Sequence, residues 1–117
     1  MGNPVTHVEI IGKDPTRLRK FYAELFSWKV GEPMGPEMGY YSLVAPESSG
    51  VGVGIGAEME GGARTTPYVE VPDLKATLEQ AVAMGGKILM EPMEIPGAVT
   101  MAMFADPEGN TIGLIKG

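Results

Sequence analysis

Polar and apolar residues alternate over 5–11, with His7 and Glu9 on one face and Thr6, Val8 and Ile10 on the other, which predicts a strand. Asp14-Pro15 then supplies a helix cap followed by proline at the first helical position. Leu18, Phe21, Tyr22 and Leu25 follow at the spacing of an amphipathic helix that ends near 26–28. Short strands are predicted at 29–30, 40–45 and 51–56, separated by a loop over 31–39 and a turn over 46–50. The strand at 51–56 is unusual. Val51, Val53 and Ile55 share one face, and the other face carries only Gly52, Gly54 and Gly56. Glycine weakens a strand, so that bare face implies the close approach of a ligand or another backbone, or else an edge or tight bend.

Past 58–64 the opening pattern returns. Tyr68-Val-Glu-Val71 echoes His7-Val-Glu-Ile10 at an offset of 61 residues, and Asp73 echoes Asp14 at an offset of 59. Asp73 caps a second helix with Leu74, Leu78, Ala81 and Val82 on its apolar stripe, and Gly85-Gly86 stops it. Strands are predicted at 87–90, 99–105 and 110–115, with a turn at Pro96-Gly97 and a hairpin turn at 106–109. The chain therefore reads as β-α-β-β-β twice, in modules 1–60 and 61–117 of a single domain. Neither module could bury its sheet alone. The expected class is α+β, with the two modules forming one curved mixed sheet, a cup with helices on its convex face.

Composition narrows the function. The 117 residues carry 15 acidic and 9 basic side chains, a formal net charge of −6, which argues against nucleic acid and against an anionic membrane surface as partners. Cysteine is absent, which removes disulfides, thiolate metal sites and cysteine nucleophiles. There is one histidine, so one chain cannot build a site from two imidazoles. No run approaches the length of a membrane span and no leader pattern is visible, so the cytoplasm is the expected compartment. Gly and Pro together make nearly a quarter of the chain, which suits strands and tight turns.

The segment from His7 through Asp14-Pro15 to the Phe21-Tyr22 pair and Leu25-Phe-Ser-Trp28 resembles the opening of the vicinal oxygen chelate superfamily, which includes glyoxalases, bleomycin-resistance proteins and extradiol dioxygenases. Pro67–Asp73 through Gly85-Gly86 resembles its repeat, and Phe104–Ile115 its closing hairpin. The resemblance implies the cup fold. It also implies four metal-ligand positions. His7 matches the first. The second falls near Gly52 or Gly54, the third near Thr66 by the family spacing or Tyr68 by the internal repeat, and the fourth at Gly113. His7 is the one retained ligand, so no metal is expected. A replacement set of His7, Glu9 and Glu70 remains as the alternative route to a divalent ion such as Zn, Ni, Fe or Mn.

The candidate catalytic residues are His7, Glu9 and Glu70: an imidazole that titrates near neutrality, and two carboxylates at repeat-equivalent positions. The carboxylates have a structural reading too, as partners for Arg64. Ligand contact is expected from Tyr40, Thr66, Tyr68, Met101, Met103, Gly52, Gly54 and Gly113. Tyr41 is a further aromatic wall candidate, and Trp28 and Phe104 read as core. The methionines, nine in all, suit an adaptable pocket. The leading expectation is a protein that binds a small planar or aromatic molecule, as a homodimer. The alternatives are a lyase, isomerase or dioxygenase of the same superfamily, and a dimerisation or interaction module.

Overall fold

The computed structural model describes residues 2–58, 62–95 and 99–117. The expected turn at Pro96-Gly97 lies outside them, as do Met59 and Glu60. Among the described residues there are seven strands, three α-helices and one short 3-10 helix (Pro36–Met38), and the α+β class read from the sequence is the observed one. The chain divides into two compact units, His7–Thr65 and Met1–Thr6 with Thr66–Gly117.

In the unit His7–Thr65, strand β1 (Val5–Gly12) pairs in parallel with β3 (Gly52–Ala57), and β2 (Ser42–Val44) pairs antiparallel with β3 on its other side. Helix α1 (Pro15–Phe26) starts where the sequence placed it: Asp14 accepts from the Arg17 backbone N–H and proline stands at the first position. Leu18 and Tyr22 of α1, with Trp28, pack on Val44, Val53 and Ile55, so the branched face of β3 is the core of this unit. The expected stripe is narrower than the sequence suggested. Phe21, Leu25 and Phe26 are 55%, 58% and 52% exposed, because only the residues four apart, Leu18 and Tyr22, meet the sheet.

Three local expectations are corrected. The segment 29–30 makes a single bridge, Val30 to Val44, and not a strand. The segment 46–50 is a short helix, α2 (Pro46–Ser49), started by proline and closed by Gly50 at positive φ. The strand expected from Tyr40 begins at Ser42, because Tyr40 sits in the left-handed region at φ 52° and breaks the alternation.

In the other unit the strand order is β4 (Arg64–Val71), β7 (Thr111–Lys116), β6 (Thr100–Ala105), β5 (Lys87–Glu94), with β4 and β7 parallel and the rest antiparallel. Helix α3 (Leu74–Ala83) is capped by Asp73, which accepts from the Ala76 N–H. Leu74 and Leu78 bury against Val71, Ala102 and Leu114, with Phe104 packed alongside, while Val82 of the expected stripe is 47% exposed.

The internal repeat is visible in strand register. His7 stands opposite Gly52 and Tyr68 opposite Gly113, each partner 61 residues from its counterpart.

Leu78→Ala should cost about 2–5 kcal/mol, the usual range for truncating a fully buried leucine. Val82→Ala, exposed on the same helix, should stay within about 0.5 kcal/mol of the parent. Urea unfolding of the two variants checks the helix orientation.

Candidate functional site

Alternation puts Val53 and Ile55 against α1, so His7, Glu9, Gly52, Gly54 and Gly56 lie on the opposite face of β1 and β3. His7 and Glu9 are 8% and 6% exposed. A carboxylate that deep is costly unless its oxygens are hydrogen-bonded or ion-paired. Both are. Glu9 Oε1 accepts from Arg64 Nη1 at 3.2 Å, and Oε2 accepts from the Tyr41 hydroxyl at 2.9 Å. The same hydroxyl lies 3.0 Å from His7 Nε2. The imidazole and the Tyr41 ring are near-parallel, 25° apart with centroids at 6.5 Å. His7, Tyr41, Glu9 and Arg64 thus form one chain of polar contacts within a single unit.

Tyr41 reaches this place through the strained residue before it. Tyr40 at φ 52° turns the chain, its N–H donating to the Gly35 carbonyl and its own carbonyl accepting from Arg19 Nη1. The Tyr41 carbonyl accepts from the Met34 N–H at 2.9 Å. The ring then lies on β3. A Cβ at Gly54 would overlap the Tyr41 hydroxyl, and one at Gly56 would come within 2.8 Å of the Tyr41 ring. At Gly54 and Gly56 what comes close to the bare face is the Tyr41 side chain of the same unit, with the Gly39 carbonyl also near Gly56, and β3 is flanked on both sides, so it is not an edge.

The expected ligand contacts distribute as follows. Tyr40 is 47% exposed, and its neighbour Tyr41 takes the buried position at 8%. In the second unit Thr66 and Tyr68 are buried on β4, and the Tyr68 ring occupies the space a side chain at Gly113 would need. Met101 is buried and Met103 half-buried on β6, on the strand face opposite Ala102 and Phe104. Glu70 is half-buried on β4, its side chain beside Gly117. A hollow of about 280 Å³ lies on the helix side of this unit, lined by Ala81, Met84, Phe104 and Pro107 among others, and none of the expected site residues borders it. Tyr41 is the residue that sequence reasoning undervalued. Its signal was the run of glycines, which called for an aromatic partner.

The donor set does not fit a divalent ion. Among the described residues no three His, Cys, Asp or Glu side chains gather in a way that could hold one. At Gly54, one of the two places the second family ligand would fall, any side chain would collide with Tyr41.

A model of the Glyoxalase/Bleomycin resistance protein/Dioxygenase superfamily matches residues 5–114. A glyoxylase-like domain-containing protein of Didymella fabae is 32% identical over 115 residues, covering 92% of this chain and 88% of that protein. The putative glyoxylase CFP32 of Mycobacterium tuberculosis is 30% identical over 114 residues, and there the chain spans 43% of the relative's length. Among solved structures, methylmalonyl-CoA epimerase from Mycobacterium tuberculosis is similar with a TM-score of 0.71 at 17% identity, over 96% of this chain and 86% of that one. That likeness is one of fold.

Burial lowers the pKa of His7 below 6.5, and the Glu9 carboxylate opposes the shift in part. Below 6.5 the unfolded chain takes up a proton that the folded chain refuses, so His7 removes stability as pH falls from about 6.5 towards the folded value. The single histidine makes this directly readable. Its proton NMR titration should have a midpoint below 6.5, and Glu9→Gln should move that midpoint lower still.

Proposed function

The chain belongs to the Glyoxalase/Bleomycin resistance protein/Dioxygenase superfamily, and from that premise we propose that it binds a small planar or aromatic molecule, with the His7–Tyr41–Glu9–Arg64 chain as the polar end of its site. The observation that carries this reading is the buried polar chain itself. A histidine, a carboxylate and a guanidinium add desolvation cost to a sheet that apolar residues could fill, and such groups concentrate at functional sites. Arg64, the most exposed member, is the group a polar ligand substituent meets first. Within the second unit, taken by itself, ligand contact is proposed at Thr66, Tyr68, Met101, Met103 and Gly113. Binding of this kind requires no metal.

The second reading is catalysis, as a lyase, isomerase or dioxygenase. What favours it is the hydroxyl between His7 and Glu9, a hydrogen-bonded path for a proton between an imidazole and a carboxylate. Glu70, in the other unit, is a separate candidate acid or base.

A homodimer in the cytoplasm completes the proposal. The three exposed apolar residues of α1, Phe21, Leu25 and Phe26, form a patch of the kind that marks contact with another protein surface. No described helix is long and apolar enough to cross a membrane.

A thermal-shift screen of planar phenols, quinones and aromatic acids tests binding. A ligand present at about 100 times its Kd stabilises by about 2.7 kcal/mol, a rise of several degrees in Tm. Arg64→Ala should reduce that rise, and a screen with no stabilising compound would remove the binding reading. Turnover that collapses in His7→Ala would favour catalysis instead. Light scattering should give twice the 12.4 kDa chain mass, and a monomer would remove the dimer.

A further inference from the structure

Tyr41 has one hydroxyl proton, and its oxygen also accepts. The 2.9 Å contact to Glu9 Oε2 uses the proton, since an ionised carboxylate only accepts. In the 3.0 Å contact to His7 Nε2 the tyrosine oxygen is therefore the acceptor, and Nε2 carries the hydrogen. A metal ion bound at Nε2 needs the lone pair of that nitrogen, which this arrangement commits to N–H. Both oxygens of Glu9, the adjacent candidate ligand, are already engaged by Tyr41 and Arg64. The ring of Tyr41 also fills the space over Gly54 through which a second ligand side chain would enter.

We infer that the Tyr41 hydroxyl stands where a divalent ion would have to sit between His7 and Glu9, and that it holds His7 as the Nε2–H tautomer. The polar chain is then complete without a metal, and at Gly54, one of the two places for the family's second ligand, the bare backbone and the Tyr41 ring go together. The inference rests on hydrogen-bond geometry and steric overlap, and not on the identity of any ligand. Its test is accordingly separate from the ligand screen.

The test has two arms. In the first, wild-type protein at pH 8 is examined by long-range proton–nitrogen NMR of its single imidazole, alone and with excess Zn²⁺, Ni²⁺ or Mn²⁺. The expected result is the Nε2–H tautomer, with signals that the ions neither shift nor broaden. In the second, Tyr41→Ala is combined with Gly54→His, which removes the ring and offers His7, Glu9 and a second imidazole together, a donor set suited to Zn²⁺ or Ni²⁺. This variant should melt at a higher temperature with Zn²⁺, and EDTA should reverse the rise. A wild-type imidazole in the Nδ1–H form, a wild-type signal that responds to metal, or stoichiometric metal in purified wild-type protein overturns the inference. A folded double variant that takes up no metal also overturns it. If the double variant does not fold, the wild-type spectra decide alone.

Discussion

The constraint that organises the face of the first unit opposite α1 is the burial of one carboxylate. Glu9 lies in the middle of a strand at 6% exposure, where an ionised oxygen without a partner would cost several kcal/mol. Each neighbouring feature supplies part of the answer. Arg64 begins β4 at a place where its guanidinium reaches Oε1, and Tyr41 brings a hydroxyl to Oε2. To deliver that hydroxyl, the chain accepts a left-handed backbone at Tyr40 and gives up side chains at Gly54 and Gly56. Strand propensity is sacrificed for a hydrogen bond, and the branched residues of β3, facing α1, make the core that compensates.

The two units reach similar ends by different routes. In the second unit a tyrosine on the strand itself, Tyr68, lies over the glycine of the paired strand, Gly113. In the first, the equivalent strand position is His7, and the tyrosine arrives from the entry to β2 to lie over Gly54. Each unit thus seats an aromatic ring on glycine. The first combines the ring with an imidazole and a paired carboxylate in one chain of contacts. The chemistry proposed above rests on that divergence between copies of one module.

What could be read from the sequence was whatever depends on period and local capping. Asp14 and Asp73 announce both long helices through side chains that accept three residues ahead, and the 61-residue repeat anticipates the matching registers of His7 with Gly52 and Tyr68 with Gly113. Alternation also put His7 and Glu9 together correctly. What stayed hidden depends on contacts between distant segments. Alternation over 40–45 treats Tyr40 and Tyr41 as strand residues, and nothing local reveals that Tyr40 leaves the extended region. Helical spacing on α1 and α3 marks apolar residues but not how wide a stripe the sheet covers, which is why Phe21, Leu25 and Val82 were misplaced. The glycine face was noticed, yet a glycine shows only that something comes close and not what it is.

That distinction changes the meaning of the missing ligands. Counted from the sequence, the family's metal positions look eroded, with one imidazole left and glycines where donors should stand. In three dimensions Gly54 and Gly113 are each covered by a tyrosine ring, and a donor side chain restored at either would meet that ring first. Substitutions at 41 and 54 must therefore be strongly non-additive, because each residue makes sense only with the other in place. A site that has merely lost ligands could regain one by a single replacement. On the inferred arrangement the Tyr41 side chain fills the metal position, so two changes are needed at once, and the hydrogen bonds of Tyr41 with Glu9 and His7 hold it against the first of them.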